Sequence, residues 1–178
     1  ALAAMEKLRI KNPSCRLNWY GGDTWLAPGY RKMSDWLAKK YPGSWQKNFC
    51  WQGAVPHQQL MSELAAASLV VVPALFETFN YVTLEAAAMG KAILITRTTG
   101  AASYFTHGID AWIIEPNNPD ALADAIAYLE NNEEKRLQIG RQASRMINEL
   151  LMPDTIIDQR LCIYENSIFD TSQITETL

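Results

Sequence analysis

Two short stretches of this chain are apolar from end to end: SLVVVP at 68–73 and AILIT at 92–96. Neither alternates polar with apolar residues, so neither fits a strand with one wet face. Runs of this length and composition are strands covered on both sides. Further strands are expected at about 16–20 (RLNWY), 48–52 (NFCWQ) and 111–115 (AWIIE). Helical patterns fall between them, at 1–11, about 25–41, 57–67 and 81–89, with a short helix at 101–106. Strands alternating with helices imply right-handed crossovers and a parallel sheet. The expected fold class is therefore α/β, Rossmann-like, with helices on both faces.

After the last strand the pattern becomes purely helical. In NNPDALADAIAYLENN an Asn or Asp cap precedes Leu122, Ile126 and Leu129 at helical spacing. EEKRLQIGRQASRMINELL is a second helix, and PDTIIDQRLCIYENSIF a third, opened by Pro153. The expected organisation is one Rossmann-like domain over 1–150, then a C-terminal helix and polar, fraying tail over 151–178. The N-terminus, ALAAMEKLRIKNPS, starts as if already inside a helix and has no signal-peptide pattern. It lacks an initial Met, and a fragment of a longer protein is the expectation.

The 178 residues carry a net charge of -3 and no basic run, which argues against a general nucleic-acid binder. Three cysteines, Cys15, Cys50 and Cys162, are far apart and form no C-x-x-C. Neither a zinc site nor a disulfide framework is expected, and a reducing, cytoplasmic location fits. No apolar stretch is long enough to span a bilayer.

In an open parallel sheet, ligands bind beyond the carboxyl ends of the strands. The segments there are Gly21-Gly22-Asp23, Gly53-Ala54-Val55, Ala74 to Asn80, and Arg97 to Gly100. Two acids with seven residues between them, Glu77 and Glu85, flank the start of the helix at 81–89. That start, near Asn80 to Thr83, carries free N–H groups and the positive end of the dipole, a natural anion site. Carboxylates nearby suit hydroxyl donors. A phosphate at the helix start, with sugar hydroxyls held by acids, describes a nucleotide-sugar. The alternatives are that Glu85 reaches solvent or a nearby Lys or Arg, and that Glu77 only helps to cap the helix. His57, His107 and most of the six tryptophans read as turn or packing residues, with Trp25 the one to test. No G-x-G-x-x-G, P-loop or Ser-His-Asp order is present.

Several collinear segments resemble one family. ETFNYVTLEAAAMGKAI is similar to the Glu-x7-Glu motif of the large retaining glycosyltransferase family with two facing Rossmann-like domains, the GT-B architecture. LNWYGGD, FCWQGAVPHQQLMSELAAASLVVVPALFE and ITRTTGAASYFTHGIDAWIIEPNNPDALADAI resemble its other landmarks in order. The resemblance runs over about 15–147 and is to the C-terminal, donor-binding domain. It implies that Glu77 sits beside the donor hexose as the catalytic acid and that Glu85 holds the ribose hydroxyls. Phe79, Asn80, Tyr81, Val82 and Thr83 would meet the diphosphate and sugar. Gly21 and Gly22 would border the nucleotide, and Gly53 to Val55 would flank the base.

The resemblance further implies transfer of a hexose, with retention, from a UDP-, GDP- or ADP-linked sugar to a glycan, lipid or small molecule, with no metal and no other cofactor. The family's first strand of this domain, its Arg and Lys that grip the diphosphate, and its acceptor domain would all precede this chain. The missing strand would leave two unpaired inner edges. Ile156, Leu161 and Ile163 of the last helix would pack on that acceptor domain, which would also make any peripheral membrane contact. The chain alone would then be inactive. Within the resemblance, a non-catalytic nucleotide-sugar binding or scaffold module and a nucleotide-sugar epimerase remain alternatives. Thr78 and Asn80 stand where the family commonly has glycine, in a turn that a β-branched residue takes poorly if φ is positive. Arg97 lies at the ligand edge and could reach phosphate, with a solvent-facing loop arginine the favoured alternative, and Lys91 is a structural residue.

Overall fold

The computed structural model describes residues 1–152 together with Ile157, Leu161 and Cys162. Its centre is formed by the two apolar runs. They become β3 (Leu69–Val72) and β4 (Ala92–Thr96), paired in parallel with Leu69 opposite Ala92 and Val72 opposite Ile95. β5 (Trp112–Ile114) pairs with the other edge of β4, also in parallel. All five residues of β4 are buried. Successive side chains serve opposite faces, as the pleat requires.

Leu94 packs on one side with α1 (Leu2–Lys11) and α5 (Pro119–Glu130). Ile93 and Ile95 pack on the other with α4 (Tyr81–Ala88) and α6 (Glu133–Leu150). The contact of α4 with α6 needs glycine. A Cβ on Gly140 would stand 2.0 Å from the carbonyl oxygen of Gly90. Only a bare Cα lets helix α6 approach the turn after α4 so closely.

β1 (Leu17–Tyr20) and β2 (Phe49–Gly53) pair in parallel but form a separate two-stranded sheet. The single sheet expected from the sequence is thus divided, and the division lies between β1 and β3. The core-facing side of the pair is aromatic. Trp19 and Trp45 lie 5.7 and 6.0 Å from Phe49, centroid to centroid. The opposite side is polar, with Asn18 and Gln52 exposed. Across the division, α3 (His57–Ala66) carries the chain from β2 to β3 and adds Leu60 and Leu64 to the α4–α6 face.

Two local expectations change. The helix expected from about 25 begins only at Met33, as α2 (Met33–Lys40). Pro28 and Gly29 interrupt it, with Gly29 at φ 80° and Tyr30 at φ 53°, and Ala27 bridges Arg31 in antiparallel fashion. The carboxylate of Asp23 then caps α2 from a distance, accepting from the Ser34 hydroxyl at 2.6 Å and the Ser34 N–H at 3.1 Å. The short helix expected at 101–106 is a 3-10 turn, Gly100–Tyr104. The helix opened by Pro153, with Ile156 and Ile163, lies outside the described residues. Ile157 and Leu161 are exposed. Among the described residues, no helix is long and apolar enough to cross a membrane.

Candidate functional site

The loops that follow β1 to β4 meet at one edge of the molecule. The loop after β3 is fastened to the loop after β4. Ala74 O accepts from the Thr96 hydroxyl at 2.6 Å and the Thr98 hydroxyl at 3.3 Å. Glu77 pairs with Thr99 as an isolated parallel bridge, and Gly100 N–H donates to Glu77 O at 2.8 Å. Gly100 is the hinge point of this clasp, since a Cβ there would lie 1.9 Å from Thr78 O. Glu77 is consequently held, half-buried, by its own backbone, and its carboxylate receives the Thr78 hydroxyl at 3.5 Å. Neither Thr78 nor Asn80 takes a positive φ, so the turn needs no glycine at either position.

Asn80 is the N-cap of α4. Its side-chain oxygen accepts from Thr83 N–H at 3.0 Å and from the Thr83 hydroxyl at 3.1 Å. This refines the expectation for the helix start. Thr83 is fully buried and committed to the cap. The N–H groups of Tyr81 and Val82 remain without a protein acceptor among the described residues. These two groups, at the positive end of the helix dipole, are what an anion would meet.

Glu85 lies one turn further along α4, half-buried, and faces His57 at the start of α3 with Oε1 to Nε2 at 3.8 Å. The pair joins the loop after β2 to the helix after β3. Gly21 N–H donates to Gly53 O at 2.9 Å, tying the loops after β1 and β2 together. Gly53 has φ 76°, and both it and Gly22 have open space where a side chain would be. Val55 is half-buried between Gly53 and His57. Phe79 meets Tyr81 and Tyr104 edge-on, with centroids 5.1 and 6.3 Å away, forming a partly exposed aromatic wall at the helix start.

Other candidates are spent elsewhere. Arg97 is bound to Glu115 at 2.7 Å, Lys91 holds Ala65 O at the end of α3, and His107 accepts from Ile113 N–H at 3.0 Å. Trp25 is exposed beneath the Lys32 ammonium, 5.6 Å from its ring centroid. Trp19, Trp45 and Trp51 pack on the core. At the end of β1, burial and a hydrogen bond to Glu63 push the Tyr20 phenol up to about 12. A cavity of about 460 Å³ opens between β1 and β3 and reaches Asn80 and Val82, with Glu63 but neither Glu77 nor Glu85 in its lining. Among the described residues no group of three or more His, Cys, Asp or Glu could hold a metal ion.

Sequence reasoning read His57 as a turn residue, and Tyr104 was not marked. His57 stands alone after Pro56, and only its place beyond the carboxyl end of β2 could have drawn it toward the site. Tyr104 belongs to a 3-10 turn that has no periodic signature.

The family model for glycosyl transferases group 1 matches residues 1–146. The chain is a member of the group 1 glycosyltransferases. Among curated relatives in this family, the D-inositol 3-phosphate glycosyltransferase of Corynebacterium glutamicum is 32% identical over 88 residues, which cover 49% of this chain and 21% of that protein. The chain thus matches about a fifth of that relative's length. Among solved structures, the C-terminal domain of a group 1 glycosyl transferase (LpcC) from Francisella tularensis superposes with a TM-score of 0.73 at 19% identity, covering 83% of this chain and 75% of that one. The Anabaena protein Alr3699/HepE, solved in complex with UDP-glucose, gives a TM-score of 0.70 at 19% identity over 92% of this chain and 44% of that one. At these identities the structures establish the fold, a Rossmann-like half of the GT-B architecture.

Proposed function

We propose that this group 1 chain is the donor-binding half of a retaining, cytoplasmic glycosyltransferase that moves a hexose from a nucleoside-diphosphate sugar to an acceptor. The observation that carries the reading is the Asn80-capped start of α4, where the free N–H groups of Tyr81 and Val82 stand between two half-buried acids, Glu77 before the helix and Glu85 within it. In this reading the diphosphate rests on those N–H groups, and the helix dipole offsets the charge that grows on the leaving group. The Glu85 carboxylate accepts from the ribose hydroxyls, with His57 orienting it. Glu77, fixed by the clasp at Gly100, sits beside the hexose. The backbone at Gly21, Gly22 and Gly53, with Val55, borders the base. The phosphate-gripping cations and the acceptor site come from other parts of the longer protein. The binding energy is there to be used for positioning, which is why the donor half alone is not expected to turn over.

The reading draws support from the UDP-glucose complex of the Anabaena protein, which shares this fold. Calorimetry of the 178-residue chain with UDP-, GDP- and ADP-glucose tests it. One donor is expected to bind, and Glu85→Ala to weaken it about tenfold to a hundredfold, the loss of one or two hydrogen bonds to a charged group. Equal affinity in the two proteins would remove Glu85 from the ribose site.

A further inference from the structure

The loop between β1 and α2 carries side chains that the candidate site does not use. Trp25, Leu26 and Tyr30 fall within six residues and are 64%, 81% and 92% exposed. Single apolar side chains on a surface are ordinary, but three on one loop make a patch. The loop is fastened at its base. Asp23 accepts from Thr24 N–H at 2.9 Å and from Ser34 N–H at 3.1 Å, and Met33 N–H donates to Thr24 O at 2.8 Å. Above that base, Ala27 is buried and bridges Arg31, whose Nε–H donates to Pro28 O at 3.1 Å. The turn holds Tyr30 at φ 53°, which glycine or asparagine takes more easily than an aromatic residue. The strain is retained, and its outcome is a phenol ring held out in solvent.

Cations adjoin the patch. Residues 24–41 contain Arg31, Lys32, Lys39 and Lys40 against one acid, Asp35, in a chain whose net charge is -3. The Lys32 ammonium lies 5.6 Å from the Trp25 ring centroid. Trp36 N–H donates to Lys32 O at 3.2 Å, which sets Trp36 one helical turn beyond Lys32. Lys40, a further turn on, stands 4.5 Å from the Trp36 ring and 5.4 Å from that of Tyr41. Trp25, Lys32, Trp36 and Lys40 therefore form a stripe of alternating rings and ammonium groups. Leu37 anchors α2 on the core beside it.

The chemistry of the patch selects its partner. A base or a sugar ring stacks on an aromatic face and has no use for the aliphatic Leu26. Small-molecule sites are concave, whereas these side chains stand out from the surface and none of them lines the cavity beside β1. Tryptophan and tyrosine around an aliphatic tip, flanked by Lys and Arg, match the layers of a lipid–water interface. A small apolar tip holds a bilayer only weakly, and a basic flank supplies the second attraction.

We propose that the loop 24–32, together with the basic stripe of α2, docks on an anionic lipid surface. Trp25, Leu26 and Tyr30 enter the headgroup layer, and Arg31, Lys32, Lys39 and Lys40 meet lipid phosphates. The contact belongs to this chain and is separate from any made by an acceptor domain. Because the loop leaves the carboxyl end of β1, docking holds the edge that carries the candidate site next to the bilayer. The assignment rests on surface chemistry and does not depend on the nucleotide-sugar reading.

Sedimentation of the natural protein with vesicles tests it without any nucleotide. Binding is expected on phosphatidylcholine vesicles containing phosphatidylglycerol, and about tenfold or more weaker on phosphatidylcholine alone or at high salt. Leu26→Ser combined with Tyr30→Asn removes the apolar tip and relieves the turn, so the fold is expected to survive while partitioning falls about tenfold or more. Arg31→Gln combined with Lys32→Gln should lower binding to the anionic vesicles only. Leu137→Ser, at an exposed leucine of α6, is the control and should change nothing. Brominated acyl chains should quench emission that Trp25→Phe removes, which places the contact at this loop. Equal binding by wild type and the Leu26→Ser, Tyr30→Asn protein overturns the proposal, as does quenching unchanged by Trp25→Phe. So does a Trp25 that iodide cannot reach in the natural protein before vesicles are added, because protein then covers the loop. Binding of RNA or an acidic polysaccharide that anionic vesicles fail to displace also overturns it, because the patch then serves another polyanion.

Discussion

β4 is buried along its whole length, whereas β1, in the neighbouring sheet, exposes Asn18 and turns an unpaired edge toward a cavity. The contrast extends to the helices. Helices α4, α5 and α6 each begin with an asparagine whose side chain bonds the third residue of the first turn: Asn80, Asn118 and Asn132. Helices α1, α2 and α3 have no such bond from their own N-cap residues. The β3–β5 block is packed on both faces by its own side chains, although β3 too turns an edge toward the cavity. The β1–β2 block rests on one aromatic face, with the cavity along its other edge. The candidate site draws on both, with the acids and the anion-facing helix from the closed block and Gly21, Gly53 and His57 from the open one.

Substitutions can break or sharpen this contrast. The largest loss is expected from Gly140→Ala, because the new methyl would collide with Gly90 O at 2.0 Å and force α6 off α4. Urea unfolding should show about 3 kcal/mol or more. A loss below about 1 kcal/mol would mean that the closed block is more pliable than its packing implies. Next comes a paired test. Ile95→Ala in the fully buried core should cost about 3 kcal/mol, and Gln52→Ala on the exposed side of β2 less than about 0.5. Similar losses in the two would abolish the distinction between the blocks. Asn80→Ala should cost about 1 kcal/mol as a lost cap. Unlike the equivalent change at Asn118, it should also weaken donor binding, since only α4 opens toward the site.

The smallest effect is a titration in the open block. The Tyr20 phenol is raised from 10 to about 12 by burial first and the Glu63 carboxylate second. A raised pKa means that the folded state holds the proton more tightly. The associated stability is complete below pH 10 and is lost as the pH climbs through 12. Absorbance at 295 nm should show one tyrosine ionising last, and Glu63→Gln should bring its midpoint part of the way back toward 10. A tyrosine that ionises normally in both proteins would show that the end of β1 is open to water.

The same contrast explains what could be read in the sequence. β3, β4 and the capped helices α5 and α6 were legible because their patterns are local: continuous apolar runs, and Asn followed by apolar residues at helical spacing. The two acids and the helix start of the candidate site were legible from spacing and from the family resemblance. Helix α2 was placed about eight residues early because Trp25, Leu26 and Ala27 read as helical until Pro28 and Gly29 end the pattern. The Asp23 cap, the meeting of His57 with Glu85 and the place of Tyr104 depend on contacts between distant segments. No periodicity within one segment encodes those. Thr83, read as part of the anion-facing turn, is instead consumed by Asn80, a competition between neighbours that spacing alone does not resolve.

The clasp at Gly100 divides labour within the cleft. Because Thr78 O rests against a residue that tolerates no side chain, the loop bearing Glu77 is tied to the turn that follows β4. The glycine loops beyond β1 and β2 are tied to each other by the Gly21 N–H, and Gly22 and Gly53 face open space. On the proposed function, altered loops there would change which base is accepted and leave the geometry around the hexose untouched. If that function holds, a lineage built on this scaffold can diversify its choice of nucleotide while inheriting the placement of Glu77 unchanged.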